Sequence, residues 1–435
     1  MNTGKPTYRH PWIWVPTLYF AQGIPFVVAQ SVSVIMYKRL EISNADIALY
    51  TSWLYLPWAL KPLWSPFVDM YSTKRFWIVL LQFVIGICLI CIAFVLPLSA
   101  FFTYTIMIFW VIAFASSTHD IAADGFYMLA LEQHHQAAFI GVRSTFFRLA
   151  MITGTGLLVV FAGHIETSSG GNIPLAWSVT FGAIAGMFLM FFAYHRLMLP
   201  YPQSDKPTLD KATGGAWKEF LNTFVLFFKK KNVVGSILFL LFYRFAEAQL
   251  MKLVTPFLLD ARESGGLGLS TSEVGIVYGT VGVISLTLGG LLGGWVVSKQ
   301  GLKFWLWIMV FVIHIPDAMF VYLSQVQPTN FLVINAAVAL EQFGYGFGFT
   351  AYMLYMIIVA QGEHKTAHYA ICTGFMAIGM MVPGMFSGMI QEALGYKDFF
   401  IWVILATIPG FAVAALVKVD PQFGKKVDDG KKEGN

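Results

Sequence analysis

Twelve long apolar runs dominate this chain of 435 residues and leave it few folds to choose from. They are 12–36, 46–66, 76–98, 102–128, 139–165, 174–196, 233–258, 272–297, 303–324, 329–359, 366–392 and 398–419. A helix of roughly 20 mostly apolar residues crosses the hydrocarbon of a bilayer, and every run reaches that length. The chain is 57% hydrophobic and 12% charged, with a mean hydropathy of +0.68, whereas a soluble domain carries roughly 25% charged residues. A water-soluble fold needs a polar rim that this composition cannot supply, so lipid is the solvent. The first run is too long for a signal-peptide core of roughly 7–15 residues and is expected to stay as the first helix.

Cationic residues orient the runs. Nineteen Lys and Arg fall on the side of the N-terminus, four on the opposite side and five inside the runs. That bias places both termini in the cytoplasm. The longest polar interval, 197–232, opens with Pro200, Pro202 and Pro207 and then turns amphipathic. Trp217, Phe220, Leu221, Phe224 and Phe228 take one face, and Lys218, Glu219, Asn222 and Thr223 the other. The spacing predicts a helix lying on the inner leaflet and ending at Lys229–Lys231 beside anionic headgroups. The expected organisation is an N-terminal six-helix bundle (1–196), a cytoplasmic linker (197–232), a C-terminal six-helix bundle (233–419) and a cytoplasmic tail (420–435). The bundles look like a repeat. Asp69 and Lys74 after the second run correspond to Ser298 and Lys303 after the eighth, both at an offset of 229. Twelve helices in two pseudo-repeats joined by a cytoplasmic linker describe the major facilitator architecture, an all-α membrane fold.

The runs carry charge where lipid should forbid it. Lys61, His119, Asp120, Asp124, Arg143, Arg148, Arg244, Glu247, Lys252 and Glu341 all lie within them. Each charge costs roughly 2.5–3.5 kcal/mol at a helix centre, so ten would approach ~25 kcal/mol. That exceeds a protein's stability margin of roughly 5–15 kcal/mol, so these residues must face a polar cavity or one another. Asp120 and Asp124 are four apart and share a helix face; Arg244 and Glu247 are three apart. Gln22 and Gln30 flank the Gly23-Ile24-Pro25 break in the first run. One reading is a transport site, in which bases hold an anionic substrate and a carboxylate carries a coupling proton. The other is a set of internal salt bridges that fix helix packing, and spacing does not separate the two. Asp69, Lys74 and Arg75 sit at the cytoplasmic mouth as gating candidates.

Other patterns are structural. Gly344–Gly348 and Gly289–Gly294 follow no strand and have no Walker lysine, so they read as close helix packing. His364 and His368 are four apart in a polar loop, and no metal site is expected. Trp53, Tyr55, Trp58 and Trp64 are expected to face lipid or the interface, with one free to stack on a sugar ring. The runs hold no convergent nucleophile, base or metal set, so the chain is not expected to be an enzyme or to bind nucleic acid.

Several of these residues fall in motifs. They are Gln22-Gly23-Ile24-Pro25, Lys61-Pro62-Leu63-Trp64-Ser65-Pro66, His119-Asp120-Ile121-Ala122-Ala123-Asp124-Gly125, Tyr243-Arg244-Phe245-Ala246-Glu247-Ala248 and Glu341-Gln342-Phe343. With them the chain resembles the AmpG muropeptide permeases, relatives of acetyl-coenzyme A transporters within the major facilitator superfamily. The resemblance implies a monomeric, cofactor-free symporter in the bacterial inner membrane. It would be driven by a proton gradient and would import anhydro-muropeptides for peptidoglycan recycling. It makes Asp120, Asp124, Glu247 and Glu341 proton-coupling candidates. Lys61, Arg148 and Arg244 become candidates for a substrate carboxylate, with Gln22, Gln30, His119, Tyr243, Lys252 and Gln342 as further substrate contacts. The chain departs from the family at Phe126-Tyr127-Met128-Leu129, where a charge pair is missing, and at His119, where Gln is common. Another oligosaccharide, a drug or a lipid-linked glycoconjugate is the alternative cargo.

Overall fold

The computed structural model describes residues 9–207, 215–362 and 365–424, and every regular element among them is helical. Ten helices among these residues are long and apolar enough to cross a membrane. The expected second run is present as two shorter helices, Asn44–Trp53 and Leu56–Tyr71, separated by a turn ahead of Pro57. The expected eleventh and twelfth runs form one helical record, Ala367–Leu416, in which the chain turns at Gly395 with φ 74°. Only glycine adopts that left-handed conformation without strain, which is why the turn falls there.

Local chemistry sets the helix ends. Ser43, Thr73 and Asn172 accept from the backbone N–H groups of Asp46, Phe76 and Leu175, and Ser270 with Glu273 forms a capping box. Asp205 adds an acidic cap from a distance: its carboxylate accepts from the N–H groups of Lys74 (2.7 Å) and Arg75 (3.0 Å). That interaction pins the irregular segment after the sixth span onto the start of the third. In the first span, Pro25 removes a backbone donor and the helix widens to a π turn at Val28–Val32.

Glycines let helices meet backbone to backbone, as expected of the two clusters. A Cβ on Gly346 would lie 1.9 Å from the Leu286 carbonyl oxygen, and one on Gly289 would lie 2.1 Å from that of Phe343. The same device joins helices on either side of the linker. A Cβ on Gly279 would lie 1.9 Å from the Thr155 carbonyl oxygen, where both chains are wound as π-helix, Thr153–Leu157 and Gly275–Gly282.

The linker helix is present at Gly215–Phe228, and its described half corrects the expected face. Phe227 is fully buried, packing on Phe375 and His368, while Phe228 is exposed. Thr223, expected on the polar face, is buried, and its carbonyl lies 3.2 Å from His368 Nε2. The helix turns this side inward because it docks on the Ala367–Leu416 helix. The side chains of Trp217, Lys218, Glu219, Phe220 and Leu221 lie outside the described residues, as does His364.

The glycine contacts generate a prediction. Gly346→Val is expected to cost about 2 kcal/mol or more by overpacking, visible as a lower melting temperature of the purified protein. Gly294→Val, whose Cβ would meet nothing within 4 Å, should melt like the parent. Equal melting of the two variants would refute the close-packing account.

Candidate functional site

The buried charges fall into two groups. The first lines a cavity of about 390 Å³ whose walls are Tyr19, Gln22, Phe26, Trp58, Asp120, Asp124, Arg143, Ser144, Phe147 and Arg148. All of these lie before the linker. The i, i+4 spacing on the Phe101–Ala130 helix does what it promised, since Asp120 and Asp124 both face this cavity. Lys61 Nζ lies 2.8 Å from Asp120 Oδ2, and the Gln22 amide also donates to Asp120. Asp124 accepts from Tyr19 Oη at 3.2 Å and pairs with Arg143 at 2.9 Å. Arg143 also stacks over the Tyr19 ring, 4.6 Å from its centroid. Phe26 and Trp58 meet edge to face at 5.2 Å. Trp58 therefore faces the cavity instead of lipid, because the turn at Leu54–Tyr55 rotates the Leu56–Tyr71 helix. Trp53 is exposed, as expected.

Arg148 stands apart. It lines the cavity and has no ion pair or hydrogen bond among the described residues. Every other cation on this wall has a carboxylate partner. His119, by contrast, points away from the cavity. It is buried within a polar chain in which Gln82 joins His119 Nε2 (3.1 Å) to His195 Nδ1 (2.9 Å), and His195 Nε2 reaches Thr17 (3.0 Å). One residue along a helix is a rotation of about 100°, so adjacency to Asp120 in sequence put His119 on a different face.

The second group lies after the linker and is sealed from the cavity. Glu247, Glu341 and Gln342 are buried, and Gln342 donates to both carboxylate oxygens of Glu341, at 3.0 and 3.3 Å. Arg244 sits at a break between the Val233–Phe242 and Phe245–Leu259 helices, bonds Tyr345 Oη and stacks over Phe349. Tyr243 bonds the Gly348 carbonyl at 3.0 Å and serves packing. Lys252 Nζ crosses to Thr51 Oγ1 at 3.0 Å and lies over the Tyr55 ring. Gln30 is buried with neither amide atom bonded. The sequence reading overlooked Asp317, buried beside Glu247 and Glu341. The signal was there: His314-Ile315-Pro316-Asp317 interrupts an otherwise apolar run.

The gating candidates hold elements within the first set of helices. Lys74 packs its methylenes against Gly125. Arg75 bonds the carbonyls of Leu199 and Arg196 and stacks 3.9 Å from the Tyr201 centroid. The Asp69 side chain lies outside the described residues. Among the described residues, polar ties across the linker gather at the opposite end of the bundle. Lys38 pairs with Asp260 at 2.7 Å, Asn44 donates to Gln391 and Tyr396, and Ala45 N–H donates to Glu392. Glu166 pairs with Arg39 and accepts from Thr271 at 2.9 Å. One end of the bundle is thus latched.

A multi-pass helical bundle with a charged, aromatic-walled cavity and a latch at one end defines a membrane transporter. The profile of the Major Facilitator Superfamily matches residues 17–367, and the chain belongs to that superfamily. Within it the chain is a transporter similar to proteins named AmpG. It is 24% identical over 411 residues to "Putative transporter AmpG 4" of Rickettsia conorii, covering 91% of this chain and 94% of that one. It is 22% identical over 423 residues to "Anhydromuropeptide permease" of Escherichia coli K12, covering 95% and 80%. Among solved structures, a D-xylose-proton symporter superposes with a TM-score of 0.73 at 12% identity, covering 97% of this chain and 100% of that one. The nucleoside transporter NupG superposes with a TM-score of 0.70 at 15% identity, covering 93% and 99%. These structural likenesses concern the fold.

The Lys61–Asp120 pair generates a second prediction. Removing one partner leaves the other charge unpaired at a partly desolvated site. Lys61→Met should therefore lower stability by about 1–3 kcal/mol, and the double variant Lys61→Met/Asp120→Asn should recover most of that loss. A double variant less stable than the single, by thermal or denaturant melting, would contradict the pairing.

Proposed function

We propose that this chain is a proton-coupled importer of an anionic amino-sugar saccharide, an anhydro-muropeptide or a close relative of one. It would work as a monomer in the bacterial cytoplasmic membrane, without a cofactor. One observation carries the reading: Arg148 is a guanidinium without a partner among the described residues, on a cavity wall that also bears Phe26, Trp58 and Phe147. A guanidinium recognises a carboxylate through paired, charge-assisted hydrogen bonds, and aromatic faces suit the apolar faces of sugar rings. The cavity volume of about 390 Å³ falls within the roughly 300–1,000 Å³ typical of ligand sites. The name of the Escherichia coli relative, an anhydromuropeptide permease, agrees with such a cargo.

The orientation follows the Lys and Arg bias: twelve crossings, both termini in the cytoplasm and the latched end outside. In that orientation the cavity belongs to a state closed to the outside, and import requires the latch to open and the opposite end to close. Coupling follows from the pairing of Arg143. While Asp124 is charged, it holds Arg143. A proton on Asp124 releases the guanidinium to join Arg148 on the substrate carboxylate. Proton and anion then favour each other's binding, which is the reciprocity a symporter needs.

Two outcomes test this. Arg148→Gln should weaken binding of a carboxylate-bearing disaccharide at least tenfold, about 1.4 kcal/mol, and should leave its methyl ester unaffected. Asp124→Asn should keep binding but lose acid-driven accumulation in proteoliposomes. Full acid-driven uptake by Asp124→Asn, or equal loss of acid and ester binding by Arg148→Gln, would overturn the proposal.

A further inference from the structure

The sealed carboxylates after the linker form a group of their own. One carboxylate oxygen each from Glu247, Asp317 and Glu341 lies within 4.8 Å of the others. The three residues are 0%, 1% and 1% exposed. Glu341 is held by Gln342, but all four oxygens of Glu247 and Asp317 lack a hydrogen-bond partner. His314 Nδ1 is 4.0 Å from Asp317 Oδ2, and Tyr278 and Tyr345 stand close to the same acids. Arg244 is a nearby cation, and one of its two terminal nitrogens donates to Tyr345 Oη.

The backbone breaks at this place twice. Glu247 follows the interruption at Tyr243–Arg244, and Asp317 ends a 3-10 segment, Ile315–Asp317, between the helices Leu302–His314 and Ala318–Val326. Broken helices within the membrane expose carbonyl oxygens, and they form ion sites where they converge.

Two arrangements can neutralise three close carboxylates. If shared protons did so, each acid O–H would seek an acceptor at roughly 2.5–3.0 Å. The orphaned oxygens of Glu247 and Asp317 make no such contact. If a cation did so, oxygens would stand apart around a common centre. Hard cations take oxygens at roughly 2.3–2.6 Å, which sets ligand edges of roughly 4.0–4.5 Å in a trigonal set. The three oxygens lie within 4.8 Å of one another, close enough to share one such ion.

We propose that Glu247, Asp317 and Glu341 bind a hard, oxygen-seeking cation of sodium or calcium size, with carbonyls of the two helix breaks completing its shell. The site is separate from the Asp120–Asp124 cavity. The carrier reading supplies its purpose, as a second, cation-driven coupling site, but binding is measurable without transport. Mg2+, which demands tight octahedral geometry, fits poorly.

The test uses the purified full-length protein in metal-free choline buffer at fixed pH and ionic strength. Melting is followed while Na+, Ca2+ or Mg2+ replaces choline. A saturable rise in melting temperature with Na+ or Ca2+, little with Mg2+, is expected. Asp317→Asn and Glu247→Gln should each weaken the apparent affinity at least tenfold, while Arg148→Gln keeps it. If Asp317→Asn does not fold, Glu247→Gln alone decides. No cation-specific rise, or an equal rise in these variants, overturns the site. A melting temperature that responds to pH alone also overturns it, by assigning the cluster to protons. Intact cation binding with failed saccharide uptake would instead count against the function proposed above.

Discussion

Charge held inside hydrocarbon is the constraint on which the rest of this structure depends. A carboxylate or ammonium facing lipid is costly enough that the fold must give each one a partner, a cavity or a counter-ion. Lys61 and Asp120, and Arg143 and Asp124, meet that demand as pairs on the wall of a cavity. Lys38 with Asp260, and Arg39 with Glu166, meet it at the latched end. Pairing of this kind adds little net stability, because desolvation offsets most of the attraction. It makes helix orientation specific.

The packing that surrounds the charges permits movement. Gly279 rests against the Thr155 backbone with no side chain between, where two π-wound segments cross. A contact built from bare backbone near the middle of the bundle offers little interlocking to resist a change of angle. The polar latch lies at one end of that crossing. Rocking about the crossing would break the latch and bring the opposite ends together. The buried acids Glu247, Asp317 and Glu341 lie on the other side of the linker from the cavity, so each side of the linker carries its own group of carboxylates.

Much of this was legible in the sequence. Run length identified most of the spans, though the second run is split into two shorter helices and the last two form one stretch, and helical spacing put Asp120 and Asp124 on one face, as the structure has them. Glycine clusters announced close helix contact, and Gly289 and Gly346 deliver it. What escaped the sequence depended on rotation about a helix axis or on breaks. His119 is adjacent to Asp120 yet points into the Gln82–His195 chain. Trp58 is turned inward by an unpredicted interruption at Leu54–Tyr55. Asp317 was hidden because its run is otherwise apolar, and only the neighbouring Pro316 marks the backbone break that places it. Phe227, which the spacing did not single out, is the buried contact of the linker helix because that helix rests on protein as well as on lipid.

The central claim is that a charge-lined cavity opens to alternate ends of the bundle. Spin-label distances measure this most directly. One pair of labels at Glu41 and Lys397 reports on the latched end, and another at Leu129 and Lys299 reports on the opposite end; all four positions are exposed. On acidification with substrate in lipid, the account predicts reciprocal shifts, with a longer Glu41–Lys397 population appearing as a shorter Leu129–Lys299 population grows. Distances that stay fixed at both ends, or that lengthen together, would contradict it.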